Sequence, residues 1–301
     1  YVWWFLLKNV IIVNPVAGNA NNLKRGTNLK KMLNKNGIQA DIVVSDGPNR
    51  ITTIVKELAQ AEQTRFYSVG GDGTLNEVIS GLIGTDSEVV VIPAGTGNDF
   101  VKSVSCYKSM RKIALASINA KSIPTDVILF NNKYYCINIL NLGLDAKIAE
   151  NMNKFRKIPF ITGSMKYNLS IFYTLAHAKN YKLKVRINEF VEKGSYTLAA
   201  IANGRYYGGG ICPSPDANTT DGILNITLVK NSTLLQKLVL LPKYKKGKHE
   251  SIKQLRHFET DNITVVSTKK FPVSVDGEIV LTNRIHAKVL PKAVRVVHIK
   301  E

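Results

Sequence analysis

Through the first 125 residues, short apolar runs alternate with stretches in which apolar side chains recur every three or four positions. Asn9–Val13, Ile42–Val44, Arg65–Val69 and Val89–Ile92 read as strands. They are apolar throughout rather than alternating, as expected of parallel strands covered on both faces. Between them, Leu23, Leu29, Met32 and Leu33 mark a helix closed by Gly37. Ile51, Ile54, Val55, Leu58 and Ala59 mark a second, and Leu75, Val78, Ile79, Leu82 and Ile83 a third, with Gly84 at the C-terminal cap position. Ile113, Ala114 and Ile118 suggest a fourth before Pro124. Thr74-Leu75-Asn76-Glu77 has the form of a capping box, which places the start of the third helix at Thr74. The alternation predicts a three-layer α/β domain over residues 1–125, a mostly parallel sheet with helices on both faces.

After Asp126 the pattern changes. Val127–Phe130, a turn at Asn131-Asn132-Lys133 and Tyr134–Leu140 read as a hairpin. Residues 146–180 look helical and basic, with Met165, Leu169, Phe172, Tyr173 and Ala176 on one face. Short strands follow at Leu183–Val191, Tyr196–Ala202, Ile223–Val229, Ile263–Ser267, Phe271–Val275, Ile285–Leu290 and Val294–Ile299. Strand after strand with turns between predicts a β-sandwich domain over residues 126–301.

The composition supports folded cores, with 45% hydrophobic residues in 301. Cys106, Cys136 and Cys212 lie far apart with no CxxC spacing. That argues against a zinc site or a disulfide framework and suits a reducing cytoplasm. The apolar start, Tyr1–Leu7, is too short to span a bilayer, and reads as a buried first strand or an interfacial anchor. The net charge of +19 predicts attraction to something anionic: nucleic acid, an acidic membrane surface or a phosphorylated substrate. The basic clusters lack interleaved aromatics and no RNP, KH or zinc-finger pattern occurs, so nucleic acid is not expected.

The chemistry concentrates in loops. Gly70-Gly71-Asp72-Gly73-Thr74 joins an apolar strand to a helix, a turn whose bared N–H groups and helix dipole favour an anion. A carboxylate inside such a cradle makes sense if Mg²⁺ bridges it to phosphates. The loops at 14–19 and 95–99 also follow strand ends, where ligands bind in open parallel sheets. Pro215–Gly222 gathers acids and amides that suit a hard cation, or equally an Asx-type turn. Asp276-Gly277-Glu278 sets two acids around a glycine, as a hairpin turn also would. Neither a GxxxxGK[ST] loop nor an HRD/DFG pair occurs.

Asn14-Pro15-x-x-Gly18, Gly70–Glu77, Gly95–Phe100 and Asp276–Glu278, in that order, resemble the diacylglycerol kinase catalytic family, in particular its bacterial soluble lipid kinase branch, related to sphingosine kinases. The resemblance implies an ATP-binding α/β domain, a lipid-binding β-sandwich and a last strand, about 286–301, that packs back on the first domain. It assigns ATP contacts to Asn14, Pro15, Val16, Ala17, Gly18, Ser45, Gly71, Asp72, Gly73, Thr74, Leu75, Asn76, Glu77 and Thr96. It assigns the catalytic Mg²⁺ to Asp72 and Asp99 with Asp126 close by, the general base to Glu278, and a structural Mg²⁺ to Asn218, Asp221 and the carbonyl of Ile223. The family often carries Asp at position 218, and neutral Asn would weaken that metal.

The implied reaction is phosphoryl transfer from ATP to a lipid hydroxyl, diacylglycerol by default, on an anionic membrane surface at the cytoplasmic face. Lys243, Lys245, Lys246, Lys248 and His249, beside apolar Leu238–Leu241, form the densest basic cluster, and 154–180 is a second candidate for lipid contact. An edge strand could pair two copies into a homodimer. Two alternatives stand beside this reading: an NAD kinase, which shares a GGDGT loop, and a basic binding module without turnover.

Overall fold

A computed structural model describes residues 7–17, 21–47, 49–143, 173–174, 180–249 and 252–299. The chain divides into two compact units. The first runs to Val127 and adds Thr219–Asp221 and the residues from Leu290 onward. The second comprises Ile128–Asn218 and Gly222–Val289.

In the first unit, β1 (Lys8–Val13), β2 (Asp41–Val44), β3 (Thr64–Gly70) and β4 (Glu88–Pro93) alternate with α1 (Asn22–Lys35), α2 (Arg50–Ala61) and α3 (Asp72–Leu82). α4 (Val101–Val104) and α5 (Met110–Ser117) follow. β1 pairs in parallel with β2 and β3, and β3 with β4, so the order is β2-β1-β3-β4. Val10–Val13 and Val89–Ile92 are buried, which is why those runs are apolar without alternation. Arg65 faces Glu88 across the β3–β4 register, and Nε donates to its carboxylate at 2.5 Å. The same guanidinium donates to the Ser117 carbonyl, fixing the end of α5.

The second unit is strand-rich. β5 (Ser122–Phe130), which begins in the first unit and enters this one at Ile128, turns through Asn131 and Asn132, both at positive φ, into β6 (Tyr134–Cys136). The expected strand Tyr134–Leu140 is broken: β7 (Ile139–Gly143) leaves β6 and pairs with β9 (Phe190–Ala202) and with β12 (Asn262–Val275). Leu183–Val191 is likewise two strands, β8 (Tyr181–Ile187) and the start of β9, because Asn188 at φ 49° turns the chain. Conversely, Ile263–Ser267 and Phe271–Val275 are one strand, β12, with a register shift between Val266 and Phe271. Ile285–Leu290 and Val294–Ile299 largely fall within β13 (Glu278–Val297), whose end pairs in parallel with β4 through Arg295 and Val296. β10 (Leu224–Lys230) and β11 (Leu255–Thr260) flank α6 (Leu234–Lys245), which the sequence pattern does not announce as a helix.

One core cluster joins Ile128, Phe130, Leu140, Val185, Ile201, Ile226, Val265 and Ile285. A second, Leu198, Ile211, Val229, Leu240, Tyr244 and Leu255, seats α6 on β9 and β10. The expected basic helical stretch at 146–180 lies outside the described residues apart from Tyr173, Thr174 and Asn180.

Candidate active site

Because β1, β3 and β4 are parallel neighbours, the loops that follow them open on one edge of the first unit. Hydrogen bonds tie these loops together. The Ala94 N–H donates to the Gly70 carbonyl at 2.8 Å, and the Asn14 N–H to the Val69 carbonyl at 3.4 Å. Fully buried Asn22 donates its amide to the carbonyls of Asn14 and Ala17, at 3.0 and 2.7 Å. Arg25 donates to the Asn22 side chain and, at 2.9 Å, to the Ala94 carbonyl. These two α1 residues therefore brace the first loop against the third. The sequence reading missed them, since neither belongs to a motif. Their signal is the polar pair opening an otherwise amphipathic helix.

The glycines permit the close approach. An added Cβ on Gly95 would lie 2.3 Å from the Gly71 Cα, and one on Gly70 would lie 2.4 Å from the Thr74 side chain. In the third loop Asn98 sits at φ 49°, accepts from the Gly95 N–H at 2.9 Å and returns its amide to the Gly95 carbonyl at 2.8 Å.

α3 starts two residues earlier than the capping box predicts, with Gly71 as N-cap and the Leu75 N–H donating to the Gly71 carbonyl at 3.0 Å. The physical reason is the fate of Glu77. Its carboxylate accepts the Ile51 N–H at 3.2 Å and so caps α2, while the Thr74 side chain packs under Gly70. Asp72 thereby occupies the first turn, where N–H groups have no partner inside the helix.

Asp72 does not point into solvent alone. Its Oδ1 accepts the N–H groups of Asp99 at 2.9 Å and Phe100 at 3.2 Å, fastening the third loop to the helix start. Asp99 is 3% exposed, and its Oδ1 accepts from Lys102 Nζ at 2.5 Å. The second oxygens of both acids approach the same small space: an added Cβ on Gly97 would lie 2.9 Å from Asp72 Oδ2 and 3.3 Å from Asp99 Oδ2. Two converging carboxylate oxygens beside helix N–H groups suit a hard divalent cation with phosphate oxygens.

The other expected site residues scatter in role. Asn14 Oδ1 accepts the Val16 N–H at 3.1 Å, Pro15 and Ala17 are half-buried, and Val16 is 85% exposed. Gly18 lies outside the described residues. Ser45 is buried, and its hydroxyl donates to the Gly47 carbonyl at 2.9 Å. Gly73 and Asn76 are half-buried and Thr96 is exposed. Leu75 is 2% exposed, so its side chain packs in the core rather than facing a nucleotide. Asp126 is fully buried. Its N–H donates to the Thr219 carbonyl and its Oδ1 accepts the Lys292 N–H, both at 2.7 Å, which makes it an anchor of the turn before the last strand residues.

In the second unit, Asp276 takes a role the sequence reading left unassigned. At φ 47°, it accepts the N–H groups of Ile137, Asn138 and Ile139 at 2.8–3.1 Å and the thiol of Cys136 at 3.1 Å. These N–H groups are free to point at it because β6 and β7 part there. Burial, and then the charge of Asp276, push the Cys136 thiol well above its ordinary value. Glu278 follows, exposed, as the first residue of β13 opposite Val275. Asn218 and Asp221 are exposed and Ile223 is half-buried. Among the described residues no group of three His, Cys, Asp or Glu gathers as a metal site.

A model of the diacylglycerol kinase catalytic domain matches residues 8–130, and one of the YegS C-terminal NAD kinase beta sandwich-like domain matches residues 138–298. A Bacillus subtilis protein named "Putative lipid kinase YtlR" is 26% identical over 315 residues, covering 97% of this chain and 98% of its own. One from Staphylococcus carnosus, named "Putative lipid kinase", is 26% identical over 299 residues with 97% of each chain covered. Among solved structures, one described as "a putative diacylglycerol kinase from Bacillus anthracis str. Sterne" superposes with a TM-score of 0.78 at 23% identity, covering 97% of this chain and 95% of that one. Yeast NADH kinase in complex with NADH is similar in fold at a TM-score of 0.53 and 12% identity, covering 100% of this chain and 86% of that one.

Proposed function

The chain belongs to the diacylglycerol kinase catalytic family, and from that premise we propose that it transfers the γ-phosphoryl group of ATP to a lipid hydroxyl, diacylglycerol being the first acceptor to test. The observation that carries the reading is the convergence of Asp72 Oδ2 and Asp99 Oδ2 over Gly97, at the start of α3. That arrangement fits Mg²⁺, which would be held by these two carboxylates and would neutralise phosphate charge. The ATP phosphates lie over the α3 N-terminus, and the loop after β1 covers the nucleotide. The acceptor oxygen attacks the γ-phosphorus, the bond to the β–γ bridging oxygen breaks, and ADP leaves. The acceptor proton passes to the exposed carboxylate of Glu278 late in the transfer, since an alcohol is far less acidic than a carboxylic acid. A structural Mg²⁺ on Asn218, Asp221 and the Ile223 carbonyl belongs to the same proposal, with one acid in the set and correspondingly weak binding.

The test is Glu278→Gln in a mixed-micelle assay with diacylglycerol. ATP binding stays near wild type and turnover falls roughly 10²-fold or more, the scale of a lost general base. A rise in the KM for ATP at unchanged kcat would make Glu278 a nucleotide contact and overturn its assignment.

A further inference from the structure

We propose that α6 is the element by which this protein docks on an anionic phospholipid surface. Among the described residues the helix is held on one side only. Lys237, Leu240 and Tyr244 are buried, with Leu240 and Tyr244 packed on Leu198, Val229 and Leu255. At about 100° per residue these three positions centre on one face. The opposite face is apolar, and no described residue covers it. Leu234 is 44% exposed, Leu235 73%, Leu238 39% and Val239 60%. With Pro242 they span an arc of roughly 140°, directed away from the buried side. The helix is firmly begun, because Thr233 and Gln236 form a reciprocal capping box, so the apolar arc is presented on a fixed scaffold.

Charge selects the occupant. Lys243 and Lys245 lie in the last turn, and exposed Lys246, Lys248 and Lys253 follow. From Asn231 to Phe258 the sequence holds one acid, Glu250, against six lysines and Arg256. A groove of about 370 Å³ beside the helix has Leu235, Val239 and Ile252 in its lining with Lys243 and Lys253. Apolar side chains bordered by lysines are the pattern of an interfacial helix, with its apolar face at the acyl boundary and its cations at the phosphates. A symmetric pairing of two copies through this face would set like charges together. This inference rests on the lipid-kinase reading only for its purpose, because docking is measured without nucleotide.

The experiment is co-sedimentation of the intact chain with phosphatidylcholine vesicles and with vesicles that also contain phosphatidylglycerol. Leu235→Ser/Val239→Ser lowers the partition coefficient at least about 10-fold on both. Lys245→Gln/Lys246→Gln removes about 30-fold of the preference for anionic vesicles, equivalent to roughly 1 kcal/mol per lysine. Lys182→Gln/Lys184→Gln, on the exposed side of β8, is the control and leaves partitioning unchanged. Unchanged partitioning in the α6 variants, an equal loss in the control, or self-association that vanishes with the apolar variant would each overturn the proposal. Retained urea midpoints verify that the variants are folded.

Discussion

Removing the Asp276 carboxylate should unsettle the second unit far more than its partly exposed position suggests. In Asp276→Ala, the N–H groups of Ile137, Asn138 and Ile139 lose their acceptor, and these residues are 1%, 4% and 1% exposed. A buried donor left unpaired costs about 1–3 kcal/mol. Water entering the vacated space offsets part of the sum, so the expected loss is about 3–6 kcal/mol, a large share of a typical domain's stability. Asp276→Asn keeps one accepting oxygen but turns an NH₂ toward an N–H, and should lose about 2–3 kcal/mol. Exposed Glu278→Gln should stay within about 0.5 kcal/mol of wild type. Equilibrium urea unfolding followed by circular dichroism measures all three. An Asp276→Ala variant within about 1 kcal/mol of wild type would refute the assignment of this acid as the plug of the β6–β7 break.

Three further outcomes are expected. Asp72→Asn retains an oxygen for the Asp99 and Phe100 N–H groups, so it should fold normally and lose phosphoryl transfer; unchanged turnover would remove its metal role. Gly95→Ala forces a methyl to within 2.3 Å of the Gly71 Cα, and should raise the KM for ATP about 10-fold or more, at a stability cost of about 1–3 kcal/mol, as the loops part. Exposed Cys106 should react promptly with a thiol reagent, whereas Cys136 and Cys212, both raised by burial, should wait for unfolding. Because the folded Cys136 keeps its proton past the ordinary 9.0, stability is full below that pH and falls as pH rises beyond it. A flat stability profile through that range would contradict the burial.

What the sequence made legible follows from which physics is local. Apolar runs such as Val10–Val13 and helix periodicities such as Ile51–Val55–Ala59 are local, and β1 to β4 with α1, α2 and α5 stand where they predict. The glycine loops were legible for the same reason, since close approach leaves few residue choices at Gly70 and Gly95. Long-range partners were not. Glu77 matches a capping box, yet a donor 26 residues away takes its carboxylate. Asp276 matches a hairpin turn, yet it satisfies N–H groups about 140 residues earlier. Asn22 and Arg25 brace the site from a helix whose pattern records only its apolar face. In the second unit, Asn188 ends β8 without the Gly or Pro that would announce a turn, whereas polar Ser267–Lys270 looks like a break although β12 runs through it with only a register shift. α6 escaped because its apolar residues lie on the exposed arc, so its periodicity does not describe a core-facing stripe.

The central claim is the reaction itself. The most direct measurement is transfer of labelled γ-phosphate from ATP, with Mg²⁺, to a panel of hydroxyl lipids in mixed micelles, with NAD in the same panel and Glu278→Gln as the control. The account predicts a labelled lipid, diacylglycerol-derived phosphatidic acid foremost, that disappears in the variant. Labelled NADP with no labelled lipid, or a labelled lipid undiminished by Glu278→Gln, would contradict it.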